Sequence, residues 1–138
     1  MKITFYGQNS LAIQIGDTHL LVDPFISGNP LSKDQVDIHS LKADYILLTH
    51  AHQDHTLDAE TIAKNTNAII VSNFEIANYY EAKGISVHSM NHGGSWEFDF
   101  GKVKYVNAIH TSSFPDGTYG GQPGGFVIEG EHKNIYIA

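Results

Sequence analysis

Apolar and polar positions alternate or cluster in short runs at the start of the chain, at Ile3 to Tyr6, Leu11 to Ile15 and His19 to Val22, broken by Gly7 and Gly16-Asp17. That rhythm predicts an antiparallel meander. Asp44 to Thr49 (DYILLT) reads as a buried strand whose far end opens into a loop. Leu57 to Asn65 and Phe74 to Lys83 read as helices, the second with Asn73 as its N-cap and Gly84 at its C′ position. Tyr79 and Tyr80 fall in that helical pattern beside Ile76 and Ala77, which points to core packing. Ala68 to Ser72 and Ile85 to Ser89 are the strands between. The tail returns to β at Trp96 to Phe100, Lys102 to Ile109, Gly125 to Glu129 and Ile135 to Ile137, with Gly130 to Asn134 turning between the last two. No repeat, low-complexity segment or linker interrupts the pattern. A single α/β domain over residues 1–138 is the economical reading.

A net charge of −7 argues against nucleic-acid binding through a basic surface, because neutralising phosphates needs clustered Lys and Arg. It leaves a phosphorylated substrate open, since a bound divalent ion inverts the local field. With no cysteine, neither disulfides nor thiolate ligands contribute, which is compatible with a reducing cytoplasm. The start MKITFYGQNS has no long apolar core, and no apolar run approaches the ~20 residues of a membrane span. The sequence thus leads us to expect a soluble cytoplasmic protein.

The candidate chemistry sits directly after DYILLT, where His50-Ala51-His52-Gln53-Asp54-His55 packs three imidazoles and a carboxylate into one short turn. Imidazole and carboxylate suit borderline cations such as zinc, at ligand distances of about 2.0–2.2 Å. Residues two apart on an extended segment point the same way, so His50 and His52 can converge on one ion while Asp54 and His55 project toward a neighbouring position. A His-rich solvated loop is the alternative.

HAHQDH resembles the HxHxDH signature of the metallo-β-lactamase fold. The segments MKITFYGQNSLAIQIG, LLVDPFISGNPL, NFEIANYYEAKG, MNHGG and HTSSFPDGTYGGQPGGF together resemble the UPF0173 metal-dependent hydrolase subfamily, itself similar to bacterial lactonases that open ascorbate 6-phosphate. The resemblance implies a four-layer αββα sandwich, of which this chain supplies roughly the N-terminal half. It also implies two divalent metal ions, zinc with manganese or iron as alternatives: His50, His52 and His110 on the first, Asp54 and His55 on the second. His110, at the end of a strand-like stretch, can emerge at the same sheet edge as the HAHQDH turn. The family pattern adds a bridging Asp two residues beyond Ala138 and a later His, so completion by a C-terminal half of the same protein, or by a second copy, is expected. An unpaired strand edge and exposed apolar sheet surface would favour such association.

The ligands imply a hydrolase in which a metal-bridging hydroxide attacks an ester, lactone, amide or phosphodiester in a small-molecule substrate, with Asp54 also orienting the attacking water. Flavo-diiron oxidoreductases on the same scaffold would call for Glu at position 52, so the imidazole there favours zinc-type hydrolysis. A non-catalytic metal-binding or assembly fragment is the competing function, since three His can hold one zinc with an open position.

Asp23, in Leu21-Val22-Asp23-Pro24, is either a turn-starting residue or an acceptor for the N–H of a metal-bound His, and the resemblance favours the acceptor. Ser112 to Gly125 reads as either a plain connection or a glycine-rich wall beside the metals, from which Ser113, Phe114, Asp116 and Tyr119 can contact substrate. It lacks the GxxxxGK[ST] phosphate-loop pattern. His88 and His92 read as ordinary hydrogen-bonded residues, and His19, His39 and His132 have no assigned role.

Overall fold

A computed structural model describes residues 1–130 and 133–138. The opening meander forms as expected: β1 (Lys2–Gly7), β2 (Ser10–Ile15) and β3 (Thr18–Val22) pair antiparallel. The chain then crosses over, with a 3₁₀ turn at Ile38–Ser40, and lays β4 (Tyr45–Leu47), β5 (Ile69–Asn73) and β6 (Val87–Met90) parallel to β3, giving a six-stranded sheet in the order β1-β2-β3-β4-β5-β6. Between those strands lie α1 (Gln53–Thr56), α2 (Ala59–Thr66) and α3 (Phe74–Glu81). A second sheet, in the order β10-β9-β8-β7, contains β7 (Ser95–Phe98), β8 (Gly101–Asn107), β9 (Gly124–Gly130) and β10 (Lys133–Ile137), all antiparallel.

Helices, first sheet and second sheet stack as three layers, and the runs of apolar residues follow from that stacking. A strand covered on both faces needs apolar side chains at consecutive positions. Leu21 and Ile46 point toward α2 and α3, where they meet Ile62, Ile76 and Tyr80. Their neighbours Leu20, Val22 and Leu47 point the other way, against Val103, Tyr105, Phe126 and Ile128 of the second sheet. Each fully buried Leu, Ile or Val of this set stabilises the fold by about 1.5–3 kcal/mol.

Several boundaries differ from the sequence pattern. The strand expected over Asp44 to Thr49 keeps ladder pairing only at Tyr45–Leu47, because Thr49 is diverted to side-chain bonds in the site. The helix expected over Leu57 to Asn65 starts two residues later, as α2, and the short α1 before it is an addition to the expected elements; between them the Asp58 N–H bonds Pro24 O, and its carboxylate accepts from the N–H groups of Ile26 and Ser27. β8 stops at Asn107, short of Ile109, which is fully exposed. Asn73 caps α3 as expected, accepting from Ile76 N at 2.9 Å, but α3 ends at Glu81 with Ala82 as C-cap, so Gly84 lies one position beyond C′, at φ 78°. The turn expected over Gly130 to Asn134 contains residues outside the described set, and so does His132. Among the described residues no helix is long and apolar enough to cross a membrane.

Candidate metal centre

Parallel pairing brings the carboxyl ends of β3, β4 and β5 side by side, the place where open α/β sheets collect their functional loops. Register puts Val22 opposite Leu47, and just beyond that pair Asp23 N–H bonds Leu47 O. Asp23, fully buried and at φ 41°, then turns its carboxylate across the strand ends. Oδ1 accepts from Thr49 N at 2.8 Å; Oδ2 accepts from the Thr49 hydroxyl at 2.6 Å and lies 2.9 Å from His55 Nδ1. A buried carboxylate is tolerated only when its lone pairs are used in this way.

Thr49 passes the arrangement on, since its hydroxyl is 2.9 Å from His50 Nδ1, and His50 Nε2 faces His52 Nδ1 at 3.2 Å. His52 is the N-cap of α1 in extended conformation, which lets one residue leave the strand and the next enter the helix carrying Asp54 and His55. His110 arrives from the second sheet, past the end of β8. Its ring centroid lies 4.7 Å from that of His50 and 5.1 Å from that of His52, and the His55 ring lies 4.0 Å from that of His50, tilted by 49°. Asp54 is half exposed, with Oδ2 3.8 Å from His55 Nε2.

Two sets of donor atoms lie within 4.8 Å of one another: His50, His52 and His110, and Asp23, His50 and His55. The first set gathers the three imidazoles expected on one ion. The second differs from the expected pair of Asp54 and His55: it joins His55 to His50 and Asp23 and does not contain Asp54, and Asp23 Oδ2 lies close to His55 Nδ1, as the acceptor role requires. Burial first, and then the neighbouring charge of His55, lowers the His50 pKa to about 4, so its ring is neutral with a lone pair available. Burial also opposes protonation of His55, but the hydrogen bond and charge of Asp23, with the charge of Asp54, outweigh it and raise that pKa. Three converging imidazoles beside a carboxylate-backed His fit divalent ions, which bind such rings through a free nitrogen lone pair.

The cluster opens into a cavity of about 670 Å³, walled by Gln8, Asn9, Asn107, Ile109 and Tyr136. The four loop residues expected at a substrate do not line it. Phe114 is a core residue, 4 % exposed and stacked on Tyr79 at 3.7 Å, because the loop folds back over α3. Ser113 and Tyr119 form an isolated bridge, and Asp116 holds a local turn by accepting from Thr118 N. The loop is nonetheless tied to the site from beneath. The Ser112 hydroxyl accepts from Ala51 N and donates to Gly120 O, and Asn73 Nδ2 donates to Gly120 O and Gln122 O.

His92 is hydrogen-bonded to Pro123 O, as expected, whereas His88 packs against Trp96 and Phe98, where burial lowers its pKa. His19 pairs with Asp44, and His39 Nδ1 accepts from Asn65. The residues that sequence reasoning missed are Gln8, Asn9, Thr49 and Thr111. Gln8 Nε2 donates to Asp54 Oδ2 at 2.7 Å, Asn9 Nδ2 to Asp23 Oδ2 at 2.7 Å, and Thr111 Oγ1 lies 3.3 Å from His52 Nε2.

The family described as Beta-lactamase superfamily domain matches residues 18–138. The chain belongs to that superfamily. Over all 138 residues it is 84% identical to a UPF0173 metal-dependent hydrolase of Christiangramia forsetii and 76% identical to one of Flavobacterium johnsoniae, and it covers 61% of each. The chain thus spans about three-fifths of the length of these curated relatives. Among solved structures, a metallo hydrolase from the hyperthermophilic archaeon Ignicoccus hospitalis superposes with a TM-score of 0.85 at 29% identity, over 99% of this chain and 59% of that one. The HAHQDH turn and His110 occupy one rim of this layered helix-sheet-sheet body, beside the cavity.

Proposed function

We propose that this chain carries most of the ion-holding part of a divalent-metal-dependent hydrolase acting on a small ester, lactone, amide or phosphodiester. The observation that carries this reading is the convergence of the His50, His52 and His110 donor atoms to within 4.8 Å at the mouth of a cavity of about 670 Å³. These three residues would hold one ion, and Asp54 with His55 a second, with zinc the first choice and manganese or iron as alternatives. Bound there, such ions supply Lewis acidity, which brings the ionisation of water within reach of neutral pH. Asp54, half exposed beside His55, is placed to hold a proton or orient a water at its carboxylate oxygens. Asp23 keeps the His55 ring turned by accepting at Nδ1. The relatives are longer than this chain, so we assign the completing groups to the remainder of that length, or to a second copy of the chain.

Three imidazoles can hold one ion with a position left open, which favours a second reading, a metal-binding module without turnover of its own. One experiment separates the two: zinc titration by calorimetry, with hydrolysis of a lactone panel and bis-nitrophenyl phosphate, on this chain alone and with the remaining segment of a relative added. The hydrolase reading expects zinc uptake by the chain, weakened more than about 100-fold by His50→Ala, and turnover when the remainder is present. Saturable zinc uptake with no turnover in either case would favour the binding module. No zinc uptake at all would sink both.

A further inference from the structure

Gln8 occupies the turn between β1 and β2 at φ 58°, a left-handed backbone conformation that glycine adopts freely and other residues seldom do. From there its carboxamide crosses 46 sequence positions to donate to Asp54 Oδ2 at 2.7 Å. Asn9, the next residue, donates to Asp23 Oδ2 at 2.7 Å. Those two carboxylates flank one imidazole: Asp23 Oδ2 lies 2.9 Å from His55 Nδ1, and Asp54 Oδ2 lies 3.8 Å from His55 Nε2. One dipeptide therefore holds both acidic neighbours of His55, whereas His50 and His52 are held by Thr49, Thr111 and each other.

We propose that Gln8 is the positioning residue for the Asp54 and His55 half of the centre, fixing the Asp54 carboxylate so that both donors meet one ion. The proposal rests on the two-ion reading above. An amide suits the task because it donates without adding charge, and it occupies only one carboxylate oxygen, leaving acceptor capacity on Asp54 for a cation. The left-handed backbone fits the same role: an unfavourable conformation is retained where the side chain it delivers is needed. The side chain at position 8 also walls the cavity, so its loss would be felt at the site before it is felt in the core.

Zinc titrations of the parent chain and of Gln8→Gly and Gln8→Met, each with the remaining segment of a relative added, and thermal unfolding of each chain, test this. The equilibrium belonging to the Asp54 side is identified as the one that Asp54→Ala abolishes. Gln8→Gly relieves the backbone and should unfold at the same or a higher temperature. Gln8→Met keeps the length of the side chain and removes the donor. In both variants the Asp54-side affinity should fall about 10–100-fold, while the other equilibrium moves less than about threefold. Retention of the Asp54-side affinity within about threefold in both variants overturns the proposal, as does an equal loss at both sites, which would mark a merely structural role. A parent chain that takes up one zinc only, even with the remaining segment of a relative added, would remove the two-ion reading itself, a failure seen before any variant is made.

Discussion

His50, His52 and His110 lean on one another, with ring centroids 4.6, 4.7 and 5.1 Å apart, while His55, in the same turn of sequence, leans on carboxylates. In the first group burial, and then the neighbouring histidines, lower the His50 pKa to about 4. In the second, burial works against the His55 proton, and the Asp23 hydrogen bond with the charges of Asp23 and Asp54 outweighs it and raises the pKa. The first needs only a strand end and a loop to bring rings together. The second needs partners from the β1–β2 turn and the end of β3, since a carboxylate near the core is stable only when its oxygens are satisfied.

The largest break in that comparison comes from Asp23. Asp23→Ala strips His55 of its partner and leaves Thr49 N and the Asn9 amide without an acceptor. Removing one member of a buried pair costs about 3–5 kcal/mol, so denaturant unfolding of the metal-free chain should show a loss of that size. A loss below about 1 kcal/mol would mean that Asp23 does no more than start a turn.

These differences also decide what was legible in the sequence. The His50 to His55 turn declared itself because its ligands are neighbours, and Asn73 because a cap precedes its helix directly. The meander followed from short apolar or alternating runs broken by Gly7 and Gly16, and β4 and β5 from the continuous apolar runs that a doubly covered sheet requires. Gln8 and Asn9 carried no such signal: their partners lie 46 and 14 positions away, and an amide in a tight turn satisfies its local role equally well. Glycine and proline around Phe114 marked the stretch as an exposed loop, but the aromatic face of Tyr79 captures the ring. Asn73 was half read, since its Oδ1 caps α3 while its Nδ2, invisible to a helix pattern, pins the loop at Gly120 and Gln122.

Proton linkage sharpens the comparison. With the His50 pKa at about 4 and an unfolded value near 6.5, the unfolded chain binds a proton in that window that the folded chain does not. Stability contributed by neutral His50 is therefore present above about 6.5 and lost as pH falls toward 4, with a slope of up to about 1.4 kcal/mol per pH unit. His55 works with the opposite sign. Its raised pKa gives stability that is full below about 6.5 and is lost as pH rises through its folded value. Urea unfolding of the metal-free chain between pH 4.5 and 6.5 should show a shallower slope in His50→Ala than in the parent. Equal slopes would mean that the ring is not held neutral by its surroundings.

The smallest effect is expected at Thr111, whose hydroxyl lies 3.3 Å from His52 Nε2. It resembles the Asp23 contact in kind, a side-chain oxygen behind a ligand imidazole, but it differs in setting: Thr111 is exposed, so water replaces the hydroxyl once it is gone. A net hydrogen bond in such a place is worth about 0.5–1 kcal/mol, and Thr111→Val should weaken zinc binding on the His50, His52 and His110 side by only about two- to fivefold in calorimetry. A loss of 100-fold would show that the mutual support of the three rings is insufficient and that this half, too, depends on a partner outside itself. The contrast between the two halves would then be one of degree, set by solvent access rather than by how each is built.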